Sequence, residues 1–156
     1  MNSEVEVRTA RPGDIHALLA LDRATESAPH WPVRAYAEML LPDGPARRHI
    51  VVAEHAATWR LTGYAIAALR EEAVAEIESV AVAPGARRCG VARALCGELV
   101  GWCRGQGVRE IELEVRSRSA PAIALYAALG FTEFARRVGY YRVPEDDAIL
   151  MRLVLS

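Results

Sequence analysis

The sequence has little cysteine and no spacing typical of a metal site. It contains three cysteines, Cys89, Cys96 and Cys103, and four histidines that are scattered along the chain. On one helix, Cys96 and Cys103 would share a face but lie roughly 10 Å apart along the axis. That separation exceeds the roughly 7 Å limit for a disulfide. We therefore expect buried free thiols and no bound metal.

Long apolar runs and a strong net charge are also missing. The longest uncharged run, Ser119 to Phe131, is shorter than the roughly 20 residues that cross a bilayer. The first residues, MNSEVEVR, lack the basic start and apolar core of a secretory signal. The formal net charge is -1, so no overall field attracts nucleic acid or an anionic membrane. These absences predict a cytoplasmic protein without direct nucleic-acid or membrane contacts.

What the sequence does have is the composition of a globular domain. Of its 156 residues, 52% are hydrophobic and 25% are charged, which predicts one domain over residues 1–156. The periodicities indicate the order β α α β β β α β α β β, and therefore an α/β fold with a mixed sheet. The predicted strands run from Val5 to Ala10, His49 to Glu54, Leu61 to Arg70, Glu76 to Ala83, Glu110 to Val115, Phe131 to Arg137 and Ala148 to Leu155, and the predicted helices from Ile15 to Leu21, Val33 to Leu41, Val91 to Arg104 and Ala122 to Leu129.

Several local expectations accompany this order. Asp14 is placed to cap the first helix, and Ser119 is placed to cap the last. The residues from Gly139 to Tyr141 are expected to form a loop. Gly97 and Gly101 weaken their helix, so we expect a close neighbour to explain their presence.

The most informative segment runs from Ser79 to Ala94, with the sequence SVAVAPGARRCGVARA. A buried strand stops at Pro84, a basic loop with Gly90 follows, and a helix begins. The first N–H groups of a helix have no partner inside it and lie at the positive end of its dipole, so this arrangement favours an anion. The segment lacks the Gly-Lys-Ser/Thr of a P-loop and the three glycines of a dinucleotide fingerprint. The spacing alone also fits an ordinary turn with solvated arginines.

Two further residues are candidates for chemistry. Glu114 ends a strand at the edge where open α/β sheets usually bind ligands. It shares a face with Glu110 and Glu112, and these two neighbouring carboxylates favour a simple solvent-facing role for all three residues. Tyr126 lies about 100° around its helix from Leu125, a position typical of a packed tyrosine with a solvated hydroxyl.

Taken together, the segments from Glu76 to Leu155 resemble the GNAT acetyltransferase superfamily, and within it the bacterial ribosomal-protein-alanine N-acetyltransferases. This resemblance implies the GNAT fold, a mixed, mostly antiparallel central sheet of six to seven strands flanked by about four helices. It rests on SVAVAP, LEVR at Leu113 to Arg116, AIALYAALGF at Ala122 to Phe131, RRVGYY at Arg136 to Tyr141 and DAILM at Asp147 to Met151, with a fainter match at Pro29 to Trp31.

The resemblance also implies acetyl-CoA as the co-substrate. The main chain of the strand before the loop would flank its acetyl group and pantetheine arm, and backbone N–H groups of the loop would bind its pyrophosphate. Ser119 stands where the family usually has an asparagine that touches the cofactor. The implied cofactor-binding residues are Val80, Ala81, Val82, Arg87, Arg88, Cys89, Gly90, Val91, Ala92, Arg93 and Ser119.

The implied reaction is direct transfer, in a ternary complex, to the N-terminal alanine of a small-subunit ribosomal protein. Glu114 matches the family's general base, and Tyr126 matches the general acid, which is expected to reprotonate the leaving thiolate readily. An α-amine suits a carboxylate base, because its deprotonation at pH 7 costs about 1 kcal/mol, against about 4.6 kcal/mol for lysine. Two alternatives remain: a GNAT acetyltransferase of a small-molecule or other protein amine, and a non-catalytic acetyl-CoA sensor. Basic residues after the alanine would call for carboxylates in the acceptor groove, for which the candidates are Glu38, Glu145, Asp146 and Asp147.

Overall fold

The protein is described from a computed structural model, which covers residues 4–25, 28–41, 47–87 and 90–156. In these residues seven strands and four α-helices follow the predicted order, and the predicted fold class is confirmed. None of the described helices is long and apolar enough to cross a membrane. The elements are β1 (Val5–Thr9), α1 (Ile15–Ala24), α2 (Val33–Met39), β2 (Arg48–His55), β3 (Leu61–Leu69), β4 (Val74–Val82), α3 (Val91–Gly105), β5 (Glu110–Arg116), α4 (Ala120–Ala128), β6 (Thr132–Arg142) and β7 (Glu145–Val154).

The seven strands form one sheet in the order β1-β2-β3-β4-β5-β7-β6. Neighbouring strands are antiparallel except β4 and β5, which run parallel. The α3 helix connects these two parallel strands, as such a crossover requires.

Apolar side chains cover both faces of this sheet. On one face, the α3 core includes Leu95 and Leu99, which pack with Ile111 of β5, and α4 contributes Ile123 to its edge. On the other face, the α1–α2 core includes Leu18 and Tyr36, which pack against β2 and β3. The α3 helix is amphipathic, with its buried positions three and four residues apart, which is why it can lie flat on the sheet.

Three local expectations prove wrong. The carboxylate of Asp14 does not cap α1; it accepts a hydrogen bond from the Arg11 N–H at 2.7 Å and pairs with Arg8 at 2.8 Å. The predicted loop from Gly139 to Tyr141 belongs to β6, which continues to Arg142 across an irregular register. No described atom lies within 4 Å of the Cβ positions of Gly97 and Gly101, apart from their own helix backbone and chain neighbours, so close packing does not explain these glycines.

Candidate active site

A cleft opens where β4 and β5 diverge. The parallel pairing of the two strands extends from Val74 to Glu76 on β4 and from Glu110 to Glu112 on β5. Beyond that point β4 continues beside β3, and β5 continues beside β7. The resulting cavity has a volume of about 370 Å³. Its lining residues are Ala28, Pro29, Ile77, Glu78, Ser79, Val80, Leu113, Glu114, Val115, Arg116, Ser119, Ala122, Tyr126 and Tyr141.

This cleft passes through the sheet from one face to the other. Leu113 and Val115 point toward the α3 core, so Glu114, which lies between them on the strand, points to the opposite face. The α4 residue Tyr126 lines the cleft from the α3 side, whereas Pro29 lines it from the segment between α1 and α2. A molecule on either side of the sheet can therefore reach the same gap.

A β-bulge at Glu78 accompanies the divergence of the strands. Ile66 of β3 lies opposite Ser79 and Ala67 lies opposite Ile77, so Glu78 is an extra residue in β4. Bulges bend a strand and increase its twist. The bulge therefore turns β4 away from β5 at the mouth of the cleft.

The Glu78 carboxylate is fixed by two arginines. Arg48 Nε donates to its Oε1 at 2.6 Å and Arg70 donates to its Oε2 at 3.0 Å, with the Glu78 side chain only 7% exposed. The hydrogen bond to Glu78 raises the pKa of Arg48. Because both carboxylate oxygens are engaged by guanidinium groups, Glu78 serves to hold the bulge.

Glu114 is held much less tightly than Glu78. Its Oε1 lies 3.5 Å from an Arg137 guanidinium nitrogen, longer than a well-formed hydrogen bond. The Glu114 side chain is 29% exposed and lines the cleft. Of the two carboxylates that line the cleft among the described residues, Glu114 is therefore the one with oxygens accessible to a ligand.

Tyr126 presents a protonated hydroxyl to the cleft. Its ring packs edge-on against Phe131 at 5.9 Å between centroids, and burial raises its pKa above the ordinary value. A phenol, with a pKa near 10, is already a weaker acid than a thiol, with a pKa near 8.5. Full proton transfer from Tyr126 to a thiolate is therefore uphill. This corrects the expectation of easy reprotonation, and the hydroxyl is better suited to donate a hydrogen bond to sulfur.

The residues predicted to bind the cofactor extend from β4 into the first turn of α3. Val80 lines the cleft, and Ala81 and Val82 continue the same strand. Arg87 Nε donates to the Val82 carbonyl at 3.4 Å. Arg88 and Cys89 lie outside the described residues.

The predicted helix start is confirmed at Gly90, which occupies the N-cap position of α3 with φ of +79°. This left-handed conformation is one that glycine adopts without steric cost. The following residues Val91, Ala92 and Arg93 form the first helical turn, where N–H groups are free to meet an anion. Ser119 occupies the N-cap position of α4 and lines the cleft, but its side chain makes no capping hydrogen bond.

The carboxylates proposed for the acceptor groove lie elsewhere. Among the described residues that line the cleft, none is Glu38, Glu145, Asp146 or Asp147. Asp146 accepts hydrogen bonds from the Ser117 hydroxyl and two backbone N–H groups, and the Ser117 contact lowers its pKa. Asp147 accepts a 2.8 Å hydrogen bond from the Gly139 N–H. These two aspartates therefore stabilise loop and strand geometry beside the cleft.

A buried polar chain, which sequence reasoning missed, reaches the cleft from α1. Asp22 is 0% exposed, and its carboxylate accepts hydrogen bonds from the Tyr36 hydroxyl at 2.6 Å and from the N–H groups of His30 and Trp31 at 2.7 and 3.1 Å. The Tyr36 and Tyr64 hydroxyls are 3.0 Å apart. Tyr64 also bonds the side chain of Ser79, which lines the cleft. No periodic signal links these residues, because the contacts join α1, α2, β3 and β4.

A second missed feature joins the end of β5 to the β6–β7 hairpin. The Arg116 guanidinium donates to the Pro144 carbonyl at 2.9 Å and lies 4.1 Å from the centroid of the Tyr141 ring. Tyr141 in turn lines the cleft. The alternation of Glu114 and Arg116 on one strand face was the available signal, but it did not indicate the hairpin as the partner.

The sequence model of the Acetyltransferase (GNAT) family matches residues 15–131. The chain belongs to this family. The crystal structure of the Escherichia coli ribosomal-protein-S18-alanine N-acetyltransferase superposes with a TM-score of 0.83 at 28% identity, covering 97% of this chain and 94% of that one.

Curated GNAT relatives match over shorter stretches. The [Ribosomal protein bS18]-alanine N-acetyltransferase of Escherichia coli K12 is 42% identical over 84 residues, which span 53% of this chain and 57% of the relative. The N-alpha-acetyltransferase RimI of Mycobacterium tuberculosis is 40% identical over 77 residues, or 49% of this chain and 47% of the relative. The matched stretches thus span about half the length of these curated relatives.

Proposed function

We propose that this GNAT protein transfers the acetyl group of acetyl-CoA to the α-amine of a protein N-terminus. The observation that carries the proposal is the cleft through the sheet, lined by Glu114 on one side and Tyr126 on the other. A carboxylate with accessible oxygens can take up a proton from an amine, and a protonated phenol can hydrogen-bond to a leaving sulfur. Glu114 thus suits the acceptor nitrogen, and Tyr126 suits the leaving sulfur.

The described residues fit acetyl-CoA at the α3 side of the cleft. Where β4 leaves β5, the main chain of Val80 borders a gap in the sheet, and an extended amide chain can hydrogen-bond there as a strand would. Gly90 opens the α3 N-terminus to a phosphate. We assign Val80 to Val82, Arg87 to Arg93 and Ser119 to this donor site.

The transfer we propose is a direct one between two bound substrates. The acceptor nitrogen attacks the thioester carbonyl carbon, an N–C bond forms, and the C–S bond breaks. Glu114, alone or through a water molecule, accepts the proton that the nitrogen loses. The Tyr126 hydroxyl hydrogen-bonds to the departing sulfur, and the thiolate takes its final proton from solvent. No covalent bond to the protein is needed, which agrees with the burial of Cys96 and Cys103.

We further propose that the acceptor is the N-terminal alanine of a ribosomal protein. The support is the similarity, in sequence and in structure, to ribosomal-protein-alanine N-acetyltransferases of Escherichia coli. Such an acceptor is cytoplasmic and needs no contact with nucleic acid or membrane. The acceptor amine would reach Glu114 from the α1–α2 face.

An acetyl-transfer assay with three acceptors tests this function. The purified protein would receive acetyl-CoA with an Ala-Arg-starting peptide, a lysine peptide blocked at its N-terminus, or a polyamine, with products identified by mass. We expect the first peptide to be acetylated at its α-amine. Activity on the polyamine or lysine alone would overturn the acceptor assignment, and cofactor binding without any transfer would identify a sensor. The chain contains no lysine. Acetylation of the enzyme itself can therefore involve only its own α-amine, and it adds little background to the assay.

Two matched variants test the role of Glu114. Glu112 lies two residues earlier on the same strand face, so E112Q makes the same chemical change outside the cleft lining. We expect E114Q to lower kcat by about 100-fold or more, as for loss of a general base, and E112Q to retain kcat within about twofold. Equal losses in both variants would contradict the assignment.

A further inference from the structure

The ion pair between Arg137 and Glu114 adds a residue to the proposed acceptor site. The nearest nitrogen and oxygen are 3.5 Å apart, and the two side chains are 54% and 29% exposed. We propose that Arg137 is a positioning residue, which orients the Glu114 carboxylate and whose charge favours the neutral, reactive form of an amine bound there. This inference rests on the proposed function and names a residue that governs its acceptor step.

The sheet brings Arg137 to Glu114 across an intervening strand. Arg137 of β6 and Arg116 of β5 both pair with Ala148 of β7, and Glu114 pairs with the next same-face β7 residue, Leu150. The side chain at the crossing point is a buried alanine methyl, which leaves room for the guanidinium to cross toward β5. The Tyr140 ring lies beneath the guanidinium, 5.3 Å from its central carbon. Arg137 is therefore held over β7 from one side and directed to Glu114 on the other.

The position of this charge bears directly on an acceptor amine. An amine hydrogen-bonded to Glu114 at about 3 Å would lie within roughly 6 to 7 Å of the nearest Arg137 nitrogen. A cation at such a distance disfavours a second positive charge, and thus stabilises the neutral amine relative to the ammonium ion. This effect increases the fraction of complexes that are ready to react at neutral pH.

Within the part of the chain that the structure describes, the other charged groups around Glu114 have partners of their own. Arg116 of β5 is bound to the hairpin carbonyl of Pro144 and stacked on Tyr141. Burial, and secondarily Glu114, raises the pKa of Tyr141, so this phenol stays protonated at neutral pH. Across the cleft, the Glu78 carboxylate is neutralised by its arginine partners.

Further described carboxylates near Glu114 lie where β4 and β5 are still paired. Burial raises the pKa of Glu112, with Glu110 and Glu76 contributing, and these three residues lie toward the paired end of β4 and β5. The α4 phenol Tyr126 lies on the other face of the sheet. Substituting Arg137 therefore removes a single charge while the remaining groups keep their contacts.

A second ion pair, formed by another glutamate of β5, supplies a matched control. Arg152 of β7 pairs with Glu110 at 3.4 Å, with side chains 46% and 27% exposed, at the end of β5 away from the cleft. This ion pair has nearly the same length and exposure as Arg137–Glu114, and exposed pairs of this kind contribute little to folding. R137Q and R152Q should therefore fold equally well and differ only in which carboxylate loses its partner.

The experiment compares kcat, measured with saturating acetyl-CoA and Ala-Arg peptide, against pH in wild type, R137Q, R137K and R152Q, because the kcat profile reports the groups of the bound complex. We expect R137Q to lower kcat about 5- to 20-fold at pH 7 and to move the acidic limb of the profile about 0.5 to 1 pH unit higher, with the KM for acetyl-CoA unchanged. R137K should recover most of the loss, and high salt should shrink the difference, because the charge is partly exposed. R152Q should match the wild type.

Equal profiles for R137Q and R152Q would overturn the inference, as would a loss in R137Q without any displacement of the acidic limb. Thermal unfolding of each variant identifies any loss that comes from misfolding, and R137K then decides the question because it keeps the charge. An inactive wild-type protein would instead count against the proposed function itself. The two failures are thus distinguishable.

Discussion

A methyl group added to Gly63 would lie 2.9 Å from the carbonyl oxygen of Ala81 on the neighbouring strand. The same methyl would lie 3.2 Å from Val91 and 3.1 Å from Leu95, both on α3. Gly63 therefore permits the first turns of α3 to approach β3 and β4 closely. The position of the α3 N-terminus, on which our assignment of the donor site depends, follows from this small residue.

We predict that Gly63→Ala raises the KM for acetyl-CoA several-fold and destabilises the fold by about 1 to 3 kcal/mol, because α3 must shift to relieve the contact. Gly97→Ala is the control, since its added methyl meets open space. That variant should stabilise α3 by up to about 1 kcal/mol and leave KM unchanged. Steady-state kinetics with denaturant unfolding would check both, and an unaltered KM in Gly63→Ala would contradict the prediction.

Tyr36→Phe should weaken the wall of the cleft that is nearest to α1. The change removes one hydroxyl from the buried chain between Asp22 and Tyr64, at a cost of about 1 to 3 kcal/mol in the free energy of unfolding. Because Asp22 also holds the N–H groups of residues that follow Pro29, we expect the acceptor KM to rise more than the acetyl-CoA KM. Tyr140→Phe, at an exposed tyrosine, should change neither quantity by more than about twofold. If Tyr36→Phe changed the KM for the acceptor and the KM for acetyl-CoA equally, the prediction would be wrong.

Tyr126→Phe should lower kcat by about 10-fold with little change in either KM. Burial raises the pKa of Tyr126, so its hydroxyl remains protonated throughout the working pH range. The loss should consequently be uniform from pH 6 to pH 9, with no displaced limb in the profile of kcat against pH. A displaced basic limb would show that the phenol titrates during catalysis and would contradict the role assigned to it.

The buried thiols predict how stability changes in alkali. Burial raises the pKa of Cys96 to about 12 and that of Cys103 to about 11, so the folded protein retains protons that the unfolded chain loses near pH 8.5. The contribution of these thiols to the free energy of unfolding is complete below about pH 8 and declines as pH rises toward the folded pKa values, by about 2 kcal/mol per thiol between pH 8 and pH 10. Urea unfolding at pH 8 and at pH 10 would measure this decline in the free energy of unfolding. The decline should be smaller in Cys96→Ala, and an identical decline would exclude this cause.

The sequence predicts the order of elements well because each helix and strand has its own periodic pattern. The α3 stripe and the alternation of β5 need no distant partner to be recognised, and both are found where predicted. Expectations that depended on one side chain were less secure. Asp14 fits an N-cap by type, but Arg8 offers a charge-assisted contact that competes for its carboxylate.

The sequence alone was enough to propose a donor site, because its strand, loop and helix follow one another in the chain. The acceptor side could not, because its parts come from separate elements. Arg137 reaches Glu114 only through the pairing of β6 with β7 and of β7 with β5. Likewise the sequence does not distinguish Glu78 from the other alternating carboxylates. Only the fold shows its bulge, with Arg48 of β2 and Arg70, which follows β3, beside it.

The passage of the cleft through the sheet has a consequence for the size of an acceptor. Pro29 and Glu114 border its opening on the α1–α2 face, whereas Ser119, Ala122 and Tyr126 border it from the α4 side. Under the proposed function, a nucleotide bound on one face would leave the opposite opening of the cleft unobstructed. An acceptor would then insert only its terminal residues toward Glu114, while the body of a large folded partner would stay outside. Each product would leave through its own opening.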